Sequence, residues 1–180
     1  MERKLAYVAL FAALIAILTI VPAVTLPIGV PITAQSLGIM LAGAVLGARL
    51  GFLAVALYVA LGLLGLPIFS GGTGGFGVLA GPTGGFIIGF PVAAFVTGLV
   101  VEKLRAPVGV ATFVGSILGG IVVLYILGIA GLVVNAGMET KVATVAMLPF
   151  VPGDLVKAVL AAFLAQGLAK ARPQGLLSRA

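Results

Sequence analysis

The sequence predicts an all-α integral membrane protein, a bundle of six transmembrane helices, on three observations. Mean hydropathy is +1.37, and 62% of the 180 residues are hydrophobic. Only 8% are charged, whereas soluble domains carry roughly 25%. Six apolar segments approach the length of about 20 residues that a helix needs to cross a bilayer. They are Leu5–Val24, Gln35–Ala48, Gly51–Leu66, Phe86–Val101, Val108–Val134 and Phe150–Ala169.

The composition also excludes several function classes. The chain has no cysteine and no histidine, which excludes thiolate chemistry, disulfides, imidazole catalysis and most zinc or iron sites. We therefore expect a protein that binds no metal and no cofactor. We also expect that it is not an enzyme, because a single acid inside an apolar segment leaves few options for general acid–base catalysis. The net charge of +6 does not indicate nucleic-acid binding, since the basic residues stand mainly at the ends of apolar segments.

The same basic residues predict that the N- and C-termini both lie in the cytoplasm, because cytoplasmic segments are enriched in Lys and Arg. With six crossings, the outer loops then hold Lys141 alone, and Lys157 lies within the last apolar segment. The inner segments hold the other eight of the ten basic residues, Arg3, Lys4, Arg49, Lys103, Arg105, Lys170, Arg172 and Arg179.

The first apolar segment carries small residues at helical spacing. The pairs Ala9/Ala13 and Ala12/Ala16 match the small-xxx-small pattern that lets helices pack closely in lipid. This stripe is either a contact within the bundle or a docking face for another membrane subunit. A cleaved signal peptide over Met1–Val24 is a further interpretation, which the length of the apolar run and the regular stripe disfavour.

The second and third segments are short, and only residues 47–51 separate them. We expect a tight helical hairpin that turns at Arg49, with one bent helix and a re-entrant piece as the alternative. The fourth and fifth segments are separated by the charged stretch Glu102–Arg105, which the orientation places inside. A polar outer loop, Asn135–Pro149, then leads to the sixth segment.

A glycine-rich loop of residues 67–85 connects the third and fourth segments and has no charge. It lacks the lysine of a phosphate-binding loop, so we expect no nucleotide site there. Such backbone is tolerated at membrane depth only when it is buried or lines a cavity, which predicts an outer lid, although a flexible connector is the alternative. In the lid, aromatic rings could cover an apolar ligand and hydroxyls could bind it: Phe69, Phe76, Ser70, Thr73 and Thr83.

Asp154 and Lys157 stand three residues apart at the start of the sixth segment. Helical spacing puts both on one face, which continues through small residues and points into the bundle. Asp154 could simply cap the helix that Pro152 and Gly153 begin. Capping does not explain Lys157, since a charge within the membrane is costly. A polar ligand that needs both a donor and an acceptor explains the pair, and Gln35, Tyr125 and Asn135 add further polar groups around this level.

Four motifs resemble the BioY family, the biotin-binding S-components of energy-coupling-factor (ECF) vitamin transporters. The motifs are Pro31–Gln35, Gly62–Phe69, Leu79–Gly85 and Pro149–Lys157, and the resemblance covers about Leu10 to Gln166. It implies a single transmembrane substrate-binding domain over residues 1–180 of a prokaryotic cell membrane protein. It further implies biotin uptake, with Asp154, Lys157 and the glycine-rich loop taking part in binding.

The resemblance also implies partners. The alanine motif of the first helix would dock on the ECF transmembrane T-component, and two cytoplasmic ATPase subunits would supply energy. The sequence offers no arginine in the outer loops for the biotin carboxylate, which leaves Lys157, Lys141, loop amides or hydroxyls. An S-component for a different small vitamin and a small membrane channel stay as alternatives, and a homo-oligomer stays open.

Overall fold

The computed structural model describes residues 2–179, which are helical over most of their length. The all-α class is confirmed, and six of the helices coincide with the predicted apolar segments to within about three residues, except that α1 ends at Ile17, well before the predicted Val24. A short antiparallel hairpin, β1 (Val24–Thr25) and β2 (Pro31–Ile32), lies between the first two helices. The helices are α1 (Glu2–Ile17), α2 (Gln35–Leu46), α3 (Ala48–Leu63), α4 (Gly84–Lys103), α5 (Val108–Ala136), α6 (Thr140–Val145) and α7 (Val151–Ala171).

Within the described residues, four helical stretches are long and apolar enough to cross a membrane. These are Glu2–Ile20, Gly84–Lys103, Val108–Ala136 and Thr140–Ala171. The helices α2 and α3 are equally apolar but have only 12 and 16 residues. A soluble bundle would bury most of its large apolar side chains, yet here Leu10, Ile126 and Phe163 are exposed, while many of the buried residues are alanine and glycine. This inverted arrangement is what a lipid environment favours.

The last helix shows the inverted arrangement most clearly. Its buried residues are Asp154, Ala158, Ala161 and Ala165. The residues on the opposite face, Leu155, Val156, Val159, Leu160 and Phe163, are all exposed. The predicted inward face of this helix is therefore confirmed.

Glycine allows the central helix α4 to pack closely against both α2 and the start of α3. A Cβ atom added at Gly43 would lie 2.3 Å from the carbonyl oxygen of Ala94, and one at Gly98 would lie 2.4 Å from the nitrogen of Ala48. Both distances are shorter than any side chain can accept. The three helices are thus held by backbone contact, which small residues make available in lipid.

The turn between α2 and α3 is a tight hairpin, as predicted, but it breaks at Gly47 and not at Arg49. Gly47 has φ of 84°, a left-handed conformation that favours glycine. Glu102 of α4 accepts a hydrogen bond from the Ala48 N–H at 2.8 Å, so its carboxylate caps the start of α3. Arg49 lies in the first turn of α3 and is exposed.

The two ends of the described chain meet at one end of the bundle. Arg3 donates a hydrogen bond to the carbonyl of Gln174. After α7, the chain folds back, and the Ser178 hydroxyl donates to the Ala44 carbonyl at 2.6 Å. Arg179 donates to the carbonyl of Leu104 at 2.9 Å. Residues 173–179 therefore close the end of the bundle that also carries the α2–α3 turn and the α4–α5 connection.

Two local predictions need correction. The stretch predicted as a polar loop after the fifth segment contains the short helix α6. The last helix begins at Val151, before Pro152, and no side chain of residues 2–179 caps its N-terminus. Proline is well tolerated in a first helical turn because the N–H it lacks has no partner there. Asp154 consequently lies inside the helix and does not act as its cap.

Candidate ligand-binding site

A cavity of about 610 Å³ opens at the end of the bundle opposite the chain termini. The first turns of α2, α4 and α7 form its walls, together with Leu124 and Tyr125 near the middle of α5. The glycine-rich loop and the segment between α1 and α2 border it. Its size lies in the range of roughly 300–1,000 Å³ that is typical of small-molecule sites.

The charged pair lies at the base of this cavity. Asp154 is 5% exposed, and its carboxylate accepts a hydrogen bond from Lys157 Nζ at 2.8 Å, which completes an ion pair. The Tyr125 hydroxyl donates to the second carboxylate oxygen at 2.7 Å. Ser36 donates to the first oxygen at 3.2 Å and accepts from Lys157 Nζ at 2.9 Å.

This network leaves capacity for a ligand. An ionised carboxylate has about four acceptor positions, and an ammonium has three donors. Asp154 uses three acceptor positions and Lys157 uses two donors. Within the described residues, one acceptor position of Asp154 and one donor of Lys157 therefore stay available. Burial of two charges is costly even when they are paired, so the pair is better explained by binding than by stability.

A second polar chain runs from α2 through α3 to the glycine-rich loop. Gln35 donates a hydrogen bond to the Tyr58 hydroxyl, which in turn donates to the carbonyl of Ile68 at 2.9 Å. The ring of Tyr58 contacts Phe69 edge-to-face, with 5.7 Å between the centroids. Gly62 makes room for Phe69, because a Cβ atom there would lie 2.3 Å from the phenylalanine ring. The loop is thus anchored to the bundle at its start.

The far end of the loop has an anchor of its own. Asn135, at the end of α5, donates through its side-chain amide to the carbonyls of Leu79 and Gly81, at 2.7 and 3.0 Å. Between the two anchors the loop forms two 3₁₀ turns. Gly71, Gly72 and Gly75 adopt positive φ there, which only glycine does readily. The glycine-rich loop is therefore a folded cover at the mouth of the cavity.

The remaining wall is apolar and aromatic. Phe86 and Phe90 of α4, Leu124 of α5 and Phe150 before α7 line it, and each is buried. A polar base with an apolar aromatic wall suits a small ligand that has a hydrogen-bonding head and an apolar body.

The structure brings eight of the ten predicted ligand-binding residues to the cavity: Gln35, Phe69, Ser70, Thr73, Thr83, Tyr125, Asp154 and Lys157. The other two, Phe76 and Asn135, are not part of its lining. Phe76 is 67% exposed on a 3₁₀ turn of the loop, and the Asn135 amide is committed to loop carbonyls. Lys141, considered for an anionic ligand group, is exposed on α6 and also lies outside the lining.

Comparison with known proteins agrees with this arrangement. A model of the BioY family matches residues 2–174. The chain belongs to the BioY family. The biotin transporter BioY of Rhodobacter capsulatus is 53% identical, with 99% of this chain and 100% of that relative covered. The biotin transporter BioY of Rhizobium etli is 47% identical, with 92% of each covered.

A solved structure is similar over nearly the whole BioY chain. It is the crystal structure of the S-component for biotin from an ECF-type ABC transporter, with a TM-score of 0.89 and 32% sequence identity. The similarity covers 94% of this chain and 92% of that one. The described helices thus have the S-component fold, and the named relatives are transporters and not enzymes.

The predicted alanine stripe of the BioY chain divides between two environments. Ala12 is buried and Ala16 is half-buried, so that pair packs within the bundle. Ala9 and Ala13 are exposed. Because helical neighbours at i, i+3 and i+4 share one face, the exposed pair belongs to the outer face that also carries Leu10. Packing within the bundle thus applies to Ala12 and Ala16, and docking of another subunit stays a prediction for Ala9 and Ala13.

Sequence reasoning missed two residues of this site. Ser36 connects Asp154 to Lys157, and its signal was available, since it follows Gln35 directly at the start of the same helix. Tyr58 is fully buried near the middle of α3, far along the chain from the other polar residues. Only its hydroxyl within an otherwise apolar segment could have drawn attention to it.

Proposed function

We propose that this chain captures biotin from outside a prokaryotic cell and passes it inward as the substrate-binding subunit of an ECF transporter. The single observation that carries the proposal is the buried network around Asp154 and Lys157, with one acceptor and one donor left free beside an aromatic wall. The similarity to biotin transporters and to a biotin S-component supports the same ligand.

The chemistry of biotin matches these free positions. Its ureido ring has two N–H donors and one carbonyl acceptor. Asp154 accepts from a ureido N–H, and Lys157 donates to the ureido carbonyl. The apolar thioether ring then lies against Phe86 and Phe90, while the carboxylate tail points to the mouth. Ser70 and Thr73, at the edge of the glycine-rich loop, supply hydroxyl donors there.

The proposed orientation follows the positive-inside rule. All six long apolar helices cross the membrane, and the end of the bundle that holds both termini faces the cytoplasm. The basic residues Arg49, Lys103 and Arg105 belong to that same end, and the cavity opens on the other side. The shortness of α2 and α3 is compatible with a crossing, because the segment that precedes α2 and the glycine-rich loop that follows α3 are folded at the cavity end of the bundle.

The partners we propose are an ECF T-component and two ATPase subunits. The exposed small pair, Ala9 and Ala13, offers a second membrane subunit a close approach in lipid. Ala13→Leu should abolish copurification with a T-component and leave biotin binding unchanged. If the variant still copurifies with the T-component, Ala9 and Ala13 do not form the interface. The exposed pair equally suits a second copy of this chain, so a homo-oligomer is the competing occupant.

A channel is disfavoured by the packing below the site. Under the polar network lies an apolar layer of Met40, Ile121, Ala158 and Ala161. A second layer follows, with Ala44, Val101, Ala111 and Ala165. All eight side chains are buried, so within residues 2–179 two apolar layers separate the cavity from the end that holds the termini.

Saturable binding of radiolabelled biotin to the purified chain tests the proposal. We expect unlabelled biotin to displace the label, and unrelated small vitamins to leave it bound. Displacement by another vitamin at equal concentration, or no saturable biotin binding at all, would overturn the assignment of the ligand.

A further inference from the structure

The helix α5 changes its winding halfway along the bundle. Residues Ser116–Val123 form a π-helix between two α-helical parts, Val108–Gly115 and Leu124–Ala136. The N–H of Leu124 donates to the carbonyl of Gly119, five residues back. A π-helix of this length is rare, and such segments occur frequently at functional sites.

The π segment changes which residues of α5 are buried. Before it, Ala111, Thr112 and Gly115 are buried. An uninterrupted α-helix repeats every 3.6 residues, so this face would continue through Val122, Ile126 and Ala130. All three are exposed. The buried residues after the segment are instead Leu124, Gly128 and Leu132.

The new face carries two contacts of the binding site. The Tyr125 hydroxyl reaches Asp154. Gly128 lies against Phe86 of the aromatic wall, where a Cβ atom would be 2.3 Å from the ring. If α5 were α-helical throughout, Ile126 would occupy the inward position and Tyr125 would turn away from Asp154. The winding of α5 therefore determines whether the network around Asp154 is complete.

A single hydroxyl is bound where the π segment begins. Thr97 of α4 is fully buried, and its Oγ1 donates to the carbonyl of Gly115 at 3.1 Å. The glycines of α5 make space for it, since a Cβ atom at Gly119 would lie 2.4 Å from Thr97 Oγ1. Where the backbone bonding changes from i→i−4 to i→i−5, the carbonyls at the junction lose the regular donors of an α-helix. Thr97 supplies the Gly115 carbonyl with a donor from the neighbouring helix.

The same junction holds two further buried hydroxyls. Thr112 Oγ1 and Ser116 Oγ have no hydrogen-bond partner within residues 2–179. Buried polar groups without partners are unfavourable and uncommon. A purely apolar contact would pack equally well in lipid, so three hydroxyls at one junction indicate that this junction does more than fill space.

We infer that Thr97 is a positioning residue of the binding site: its bond to Gly115 holds the π segment of α5, and the π segment directs Tyr125 onto Asp154. The expected effect of Thr97 on biotin affinity rests on the proposed function. The geometric part, from Thr97 to Tyr125, is independent of the ligand. Thr97 touches no residue of the cavity lining through this bond and acts only through the winding of α5.

A matched pair of variants tests the inference. Thr97→Val keeps the shape of the side chain and removes the donor, whereas Thr97→Ser keeps the donor. We expect Thr97→Val to weaken biotin binding about tenfold or more, the loss that one charge-assisted hydrogen bond to the site represents. Thr97→Ser should bind as the unchanged protein does. Thr97→Ala replaces Thr97→Val should the latter fail to yield a monodisperse protein.

A second readout needs no ligand. The chain has three tyrosines, so ¹³Cζ-tyrosine NMR gives three signals, and Tyr125→Phe assigns the one of interest. We expect Thr97→Val to move the Tyr125 signal, because the hydroxyl loses its carboxylate acceptor, while the signals of Tyr7 and Tyr58 stay in place. An unmoved Tyr125 signal in Thr97→Val, or an equal displacement in Thr97→Ser, would overturn the inference. A moved signal in a protein that does not bind biotin would uphold the positioning role and refute the proposed ligand.

Discussion

At the scale of single residues, the site depends on a few polar atoms that stand where lipid surrounds the bundle. Asp154 and Lys157 compensate each other's charge, and Ser36 and Tyr125 complete their hydrogen bonds. A buried carboxylate is tolerated only with such partners. The same partners hold the two charged groups in fixed positions, so a ligand meets a site that is already formed.

Asp154→Asn and Lys157→Ala should each weaken biotin binding about 10- to 100-fold, because each removes a charged hydrogen-bond partner of the ureido ring. Equilibrium binding to the purified variants measures this. Glu139→Gln and Lys141→Ala are matched controls, since both residues are exposed and lie outside the cavity lining. Near-normal affinity in both site variants would assign the pair to the fold alone.

A site residue could be predicted from the sequence when its side chain is unusual for the segment in which it stands. A charge within an apolar helix is conspicuous, so Asp154 and Lys157 could be recognised from the sequence. Tyr58 could not, because a tyrosine in an apolar helix is ordinary, and its role appears only when α3 meets the loop at Ile68. Phe76 shows the reverse case, since its ring is exposed on a 3₁₀ turn and lies outside the lining of the cavity that Phe69 borders.

At the scale of elements, glycines decide which helices approach each other. Gly43 of α2 and Gly167 of α7, both within helices, show the difference. A Cβ atom added at Gly43 would lie 2.3 Å from the carbonyl oxygen of Ala94. No described atom would lie within 4 Å of a Cβ atom added at Gly167. The first glycine is therefore required by packing. The second is a residue with poor helix propensity and no packing role.

Alanine substitution at these two positions should have opposite effects on stability. Gly43→Ala forces α2 away from α4 and should lower the free energy of unfolding by about 1–3 kcal/mol. Gly167→Ala should raise it by up to about 1 kcal/mol, because alanine favours the helix. Thermal unfolding in one detergent compares them. A Gly43→Ala variant more stable than the unchanged protein would show that the α2–α4 contact has room for an added methyl group.

Helix positions were largely predictable from the sequence, since long apolar segments bounded by Gly, Pro and charged residues are strong signals. The finer features of the elements were not. The π segment of α5 depends on a hydroxyl from α4, a contact far away in the sequence. The six-residue helix α6 is too short for its apolar pattern to be recognised.

At the scale of the whole molecule, the bundle has two different ends. One end holds the polar cavity and its glycine-rich cover. The other holds both termini, the basic turns and the folded-back segment 173–179, with apolar layers between the two ends. The chain has no cysteine, so single cysteines can report which end faces outward.

In intact cells, a membrane-impermeant thiol reagent should label Lys141→Cys and should not label Arg105→Cys. Lys141 lies on α6 near the cavity end, and Arg105 lies in the α4–α5 connection at the end with the termini. Both residues are exposed, so permeabilised cells should show labelling of both. The reverse pattern in intact cells would invert the proposed orientation.

The central claim is that Asp154 and Lys157 hold the ureido ring of biotin, and a comparison of biotin with 2-iminobiotin tests it most directly. The analogue replaces the ureido carbonyl, an acceptor, with a protonated imine that donates and carries a positive charge. Isothermal titration at neutral pH should show 2-iminobiotin binding at least about 100-fold more weakly than biotin, because Lys157 loses its acceptor and meets a like charge. In Lys157→Ala this difference should shrink. Equal affinity of the unchanged protein for the two compounds would contradict the account.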